Sequence, residues 1–230
     1  FNTMGVVTTD DTTKKLYAAF NKRLRDEMGV KFQLVVYRLA ADYMGVINLK
    51  NKITDAGYSE ASLIYWVTGA ESGCEVNRSC QNKRYDGEFT IDTDYTQNDL
   101  KQALKNGEFV LHRVNTDVRI LDDINSMVTV SDICGEVFKD NQTIRVIDQL
   151  ANDDAVIFNT KYLGTIPNNA SGRTALWSDL VKIRKELQRM GAIENFKDSD
   201  VTVTAGESKK AVVVASAITV VNAMSKLYMT

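Results

Sequence analysis

The first 37 residues hold the pattern that most restricts the fold. Residues 2–8 (NTMGVVT) alternate weakly, like a strand, and end in the polar cluster Thr8-Thr9-Asp10-Asp11. Leu16, Phe20, Leu24 and Met28 then recur at spacings of four, with Ala19 between them, which marks one face of a helix. Asp11 or Thr12 can cap its start and Gly29 can end it. Residues 31–37 (KFQLVVY) are a second apolar run of strand length. Strand, helix and strand with short connections make a βαβ unit. Its two strands must lie parallel, inside an α/β sheet.

The pattern continues downstream. Ser59 can cap a helix running to about residue 79, which carries Leu63, Val67, Ala70 and Cys74. The same stretch holds Gly69-x-x-x-Gly73, and small residues at that spacing let a neighbouring element come close. Residues 84–92 read as strand around the turn Asp86-Gly87, and residues 96–106 as a short helix that Gly107 closes. Residues 108–114 and 117–122 read as strands. After Met127 the pattern changes. A long helix is expected over residues 141–163, with Ile144, Ile147, Ala151, Ala155, Phe158 and Tyr162 on one stripe. A second begins near Arg173, where Leu176, Leu180, Ile183, Leu187 and Met190 step by fours and threes until Gly191. A strand (VTVT), a turn at 205–208, a long strand over 210–221 and a tight turn at 222–225 follow. The chain then stops inside an apolar strand, KLYMT. An α/β domain over 1–127 and a helix-and-sheet domain over 128–230 are therefore expected.

Composition bounds the chemistry. The net charge of −2 gives no overall attraction to nucleic acid or a membrane surface. No apolar run approaches the ~20 residues of a membrane span. Cys74, Cys80 and Cys134 are odd in number and fit no zinc spacing, so they read as reduced, buried thiols. His112 is the only histidine, and since metal sites and nucleophilic triads usually draw on histidine, one alone removes most of those options. The acid pairs Asp10-Asp11, Asp122-Asp123 and Asp153-Asp154 fall at element ends or on helix surfaces. GAESGC lacks the lysine and the spacing of a phosphate loop, and no GxSxG or HExxH motif occurs. No catalytic, cofactor-binding or metal-ligating residue is nominated. Pro167 is the only proline, so no proline-rich linker divides the chain.

The stretch YLGTIPNNASGRTALWSDLVKIRKELQRMGAIENF, followed by VTVTAGESKKAVVVASAITVVNAMSKLYMT, resembles the C-terminal domain of contractile tail sheath proteins. The likeness is nearest to sheaths of Gram-positive myophages and of R-type, diffocin-like bacteriocins. Upstream, KFQLVVY, ASLIYWVTGAESGCEVNRS and NKRYDGEFTID resemble the α/β part of the same family. That part is described as subtilisin-like, and here it lacks the Asp, His and Ser motifs of the protease.

The resemblance implies a structural protein of a phage tail or bacteriocin particle, assembled in the bacterial cytoplasm and released on lysis. Its subunits would stack as rings of six around a tail tube, and contraction would drive the tube through an envelope. The implied partners are other sheath subunits, the tube protein, and baseplate and tail-terminator proteins. Nucleic acid, membrane insertion and cofactors are not expected. Family members also exchange strands between subunits through arms at both termini. On that basis Val212 and Val214 are expected in the receiving sheet, and Leu227, Tyr228, Met229 and Thr230 at the root of a donated arm. Arg173, Lys182, Lys185 and Arg189 are expected to face the tube, the alternative being an ordinary solvated helix face. A chain opening on Phe1 and stopping in a strand reads as a core lacking both arms, monomeric in solution. The competing readings are a degenerate hydrolase-like α/β enzyme, built on a pocket joining His112 to a carboxylate and a nucleophile, and another tail component.

Overall fold

The computed structural model describes residues 2–229. The chain divides into two compact units, one running to Ile144 and taking in the chain again from Ala223, the other Arg145–Asn222. In the first unit β1 (Thr3–Val6), α1 (Asp11–Asp26), β2 (Gln33–Tyr37), β3 (Val46–Leu49), α2 (Leu63–Ser72), α3 (Gln97–Lys105) and β4 (Glu108–Phe109) follow in order. The four strands form a parallel sheet in the order β1-β2-β3-β4, with Met4 opposite Leu34 and Leu34 opposite Val46. Every residue of β2 and β3 is buried, as expected of central parallel strands covered on both faces. On one face Leu63, Ile64 and Val67 of α2 pack with Val35, Ile47, Leu49 and Phe109. On the other, Leu34, Val36 and Val46 meet Ala18 of α1 together with Leu39, Ala41 and Tyr43. Gly5 is required on β1: a Cβ there would lie 2.8 Å from Ile64 Cγ2 and 2.2 Å from Thr68 Oγ1. β5 (Leu111–Val114) and β6 (Asp117–Ile120) complete the unit as an antiparallel hairpin.

Four local expectations for this unit change. The apolar stripe of α1 faces outward: Leu16 is 67% exposed, Phe20 46% and Met28 60%. The buried side instead carries Lys14, Asn21 and Arg25. Asn21 Nδ2 and Arg25 Nη1 both donate to the Phe32 carbonyl, at 3.0 and 2.7 Å, which satisfies a buried acceptor at the entry to β2. The cap of α1 is Asp10, whose Oδ2 accepts from Thr13 N at 2.7 Å, rather than Asp11 or Thr12. The helix after Ser59 stops at Gly73, following a short 3-10 turn and α2, instead of reaching residue 79. Residues 84–92 form only isolated bridges, Arg84 to Arg119 and Ile91 to Ile53.

The loop after α2 is tied down by a buried carboxylate. Asp123 Oδ2 accepts from Ser79 Oγ (3.1 Å) and Cys80 N (2.8 Å), and Oδ1 accepts from Asn141 Nδ2 (2.9 Å). Asn141 N also donates to the Asp123 carbonyl, and Gln33 Nε2 of β2 donates to Asn141 Oδ1 at 2.9 Å. Asn141 opens α4 (Asn141–Ile157), so one network joins the sheet, the loop and the first turn of this helix. Asp140, just before it, accepts from Gln142 N at 2.8 Å. Burial, and then the neighbouring Asp123 charge, raise the Asp140 pKa to about 6.

The division between the units falls inside α4. In the second unit α4 gives way to a π-helical turn, Phe158–Tyr162. α5 (Ala170–Arg189), β7 (Ile193–Glu194), β8 (Val201–Ala205), β9 (Val212–Ser216) and β10 (Thr219–Val220) follow. α5 starts three residues before the expected Arg173 because Asn169 Oδ1 caps Gly172 N at 2.8 Å. Leu176, Leu180 and Leu187 of α5 are buried, and so is Arg184, 1% exposed. Its guanidinium donates to both oxygens of Asp154 on α4, at 2.5 and 2.6 Å, and to Ser216 Oγ of β9 at 3.2 Å. The expected strand over 210–221 is two strands serving different ribbons, β9 on β8 and β10 on β7. Ala217 N donates to the Asp200 carbonyl as the last rung beyond Val201–Ser216, after which Thr219 and Val220 turn to β7. The expected turn at 222–225 and strand over 227–230 do not form within the described residues, where 221–229 carries no regular structure. Among the described residues no helix is long and apolar enough to cross a membrane.

Two outcomes follow from these networks. Asp154→Ala leaves Arg184 buried without its carboxylate and should cost about 3 kcal/mol in chemical denaturation, with much of it recovered in the Asp154→Leu, Arg184→Leu pair. Asp140 has a folded pKa above its unfolded value, so its ionisation opposes folding increasingly from pH 4 to 6 and constantly above. Asp140→Asn keeps the capping oxygen. It should raise Tm at pH 7 and lose that advantage near pH 4.

Candidate assembly surfaces

Three exposed surfaces stand out. The first is the outer face of α5. Lys182 Nζ lies 3.4 Å from Asp179, Lys185 Nζ 2.8 Å from Asp198, and Arg189 forks onto Glu186 at 2.8 and 2.5 Å. All three cationic side chains are more than half exposed. Two of these pairs are i,i+3 neighbours on the helix, so the spacing itself brings them together. Asp179 also accepts from Tyr162 Oη at 2.6 Å and pairs with Lys161, which holds its pKa down at about 2. The face therefore alternates in sign rather than being purely basic. Arg173 does not join it. Nine residues at about 100° each put it half a turn away from Lys182. Its Nη1 donates to Asn168 O (3.3 Å) and Oδ1 (3.0 Å) instead.

The second surface is the β8–β9 ribbon. β9 pairs with β8 alone among the described strands, so its other edge has no ladder partner. Val213 and Val214 are exposed on it, and Val212 is half-buried. Val212 lines a cavity of about 520 Å³ with Phe158, Tyr162, Ile166, Pro167 and Leu176. Asn168 Nδ2 holds the loop beneath the ribbon by donating to the carbonyls of Lys209 (3.1 Å) and Ala211 (2.8 Å). Gly172 is needed there, since a Cβ would fall 2.1 Å from the Pro167 oxygen. The sequence offered no sign of this cavity, because its lining joins residues 158–176 to the remote stretch 209–212.

The third surface is the C-terminal tail. Leu227, Tyr228 and Met229 are each more than four-fifths exposed, and Met224 is fully so. The tail is anchored near its start, where Ala223 N donates to Gln142 Oε1 at 2.9 Å. Thr230 lies outside the described residues. Such a row of apolar side chains is an unusual thing to leave in water.

The groups that could do chemistry are arranged differently. His112 sits on β5 across from Arg119, and burial lowers its pKa. Among the described residues it makes no hydrogen bond to a carboxylate or nucleophile. Glu71, Cys80 and Asp123 are buried with ligand atoms within 4.8 Å of one another. Asp123 is already taken up by Ser79, Cys80 and Asn141. The Cys80 thiol is pushed far up by Cys74, burial and the nearby acids, which works against the thiolate a metal would select. This cluster is a packing knot.

Comparison with known proteins gives the family. Residues 1–126 match the family model for the phage tail sheath protein central domain, and residues 135–230 that for the phage tail sheath C-terminal domain. The phage-like element PBSX protein XkdK of Bacillus subtilis is 30% identical over 234 residues, covering 96% of this chain and 50% of its own. The solved sheath tail protein of Desulfitobacterium hafniense superposes with a TM-score of 0.87 at 35% identity, over 96% of this chain and 53% of that one. The helical sheath of the anti-feeding prophage in its contracted state shares the fold alone, with a TM-score of 0.75 at 12% identity, over all of this chain and 69% of that one. The chain thus spans about half the length of XkdK and of the D. hafniense protein. With both halves matched in order, this chain belongs to the phage tail sheath family.

Proposed function

We propose that the complete polypeptide is a structural, non-enzymatic subunit of a contractile sheath. It polymerises as stacked hexameric rings around a tail tube and contracts to drive the tube through a bacterial envelope. The observation that carries this reading is the coexistence of an open β9 edge and an extended apolar tail on a chain of the sheath family. An open edge invites a strand from another chain, and a tail without a partner can supply one. Val212 and Val214 belong to the receiving ribbon, and Leu227, Tyr228, Met229 and Thr230 to the root of the donated arm. Each backbone hydrogen bond contributes about 0.5–1.5 kcal/mol, so four or five give a few kcal/mol per junction. Repeated at every subunit, that keeps a lattice connected while its cores rotate as rigid bodies.

The division of labour follows the two sequence halves: a subtilisin-like α/β domain over 1–127 without protease chemistry, and a C-terminal domain over 128–230. Lys182, Lys185 and Arg189 face the tube, with Arg173 beside the cavity. Pairs this exposed contribute about 0–1 kcal/mol each, which suits a contact that must release on contraction. Beyond the tube, the partners are sheath subunits, baseplate and tail-terminator proteins. The particle is a phage tail or a derived bacteriocin, assembled in the cytoplasm and freed by lysis.

Electron microscopy of the complete polypeptide expressed alone should show hollow striated cylinders, and their absence would contradict the reading. Light scattering should find the 230-residue chain monomeric even at low salt, whereas sheath-like polymers would refute the role given to the arms. Reversing Lys182 and Lys185 to Glu in the complete protein should reduce extended sheath on tubes without lowering Tm. Unchanged extended tails would remove the tube contact.

A further inference from the structure

β1 is an edge strand with an apolar surface beside it. Gln33 N bonds the Asn2 carbonyl, so residues 2, 4 and 6 face β2. Alternation then turns the N–H and C=O groups of Thr3 and Gly5 outward, where no described strand meets them. The flank of α1 above this edge can be identified. Its Lys22–Asp26 flank lies toward β3, since Tyr43 Oη donates to Asp26 at 2.7 Å and Lys22 Nζ sits 5.1 Å from the Tyr43 ring. Lys14, Ala18, Asn21 and Arg25 point down at the sheet. At about 100° per residue, Phe20, Leu24, Tyr17 and Met28 occupy the remaining flank, on the side of the bare β1 edge, with Leu16 above them on the outer face. Across the sheet, Thr68 Oγ1 of α2 is buried against Gly5 and makes no hydrogen bond.

We propose that β1 is not the last strand of this sheet in the complete polypeptide. A strand from the segment preceding the central domain pairs with Thr3 and Gly5, and apolar side chains of that segment cover Leu16, Phe20 and Met28. The occupant is argued from size. Residues 1–126 match a domain described as central, and the first-matched relatives carry about as much chain again outside the region shared with this one. Two outward residues offer too few bonds to hold a second copy against the entropy of association. A tethered segment meets the same edge at an effective concentration of about millimolar. This seat is separate from the exchange between subunits, which uses β9, and it stands on family membership rather than on contraction.

Hydrogen exchange of the Thr3 and Gly5 amides, compared between the 230-residue chain and the complete polypeptide below its assembly concentration, tests the proposal. The complete polypeptide should slow both by about tenfold or more, independently of concentration. Equal exchange in the two proteins would overturn it. So would protection that grows with concentration, which would assign the edge to a second copy. Phe20→Ser supplies a second readout: it should leave the Tm of the 230-residue chain nearly unchanged and lower that of the complete polypeptide by several degrees. Equal shifts in both proteins would also overturn the proposal.

Discussion

The first unit hangs on one buried carboxylate. Asp123 gathers the loop after α2 through Ser79 and Cys80, and the start of α4 through Asn141, which in turn holds Gln33 of β2. Ser79 Oγ, Cys80 N and Asn141 Nδ2 are neutral donors. A buried charge of this kind is tolerated only when its lone pairs are filled. The cost is visible next door, where burial and then the Asp123 charge raise the Asp140 pKa. The second unit relies on a different device, the Arg184–Asp154 fork, in which a fully buried cation meets two oxygens and then a serine of β9. The ribbon that carries the open edge is therefore held from below by polar contacts as well as by apolar packing.

These networks explain which parts of the fold were legible in the sequence. The βαβ start was readable because β2 is buried on both faces and carries the apolar run Leu34–Tyr37, whereas β3, equally buried, is short, interrupted by Asn48, and was not read from the sequence. The four-residue spacing of Leu16, Phe20, Leu24 and Met28 was real but misleading. Periodicity reports that a helix has an apolar side, not that this side meets its own sheet. Lys14, Asn21 and Arg25 took the inner positions because the Phe32 carbonyl needed donors. The strand over 210–221 looked continuous since nothing in AVVVASAITV signals the break. The break is a change of partner from β8 to β7, which only the fold brings into reach.

The assembly surfaces were legible to different degrees. The basic residues of α5 stood out, and their i−3 acids Asp179 and Glu186 could have been found by spacing alone. Asp198 could not, because it comes from the turn before β8. Arg173 was separable by helical arithmetic. The β9 edge required the fold, since an edge is a property of pairing and not of composition. What unites the surfaces is that apolar side chains at α1, β9 and the tail remain outside, each next to backbone without a partner. In the reading proposed above, β9 receives a strand, the tail supplies one, and the β1–α1 surface is covered by the polypeptide's own preceding segment.

The β9 edge is the point on which the account turns. A high-resolution map of sheath assembled from the complete polypeptide would show it directly. The account predicts a strand from a neighbouring subunit running along β9, with its side chains against Val213 or Val214 and its backbone completing the ladder. A β9 edge left bare to solvent in every subunit would contradict it.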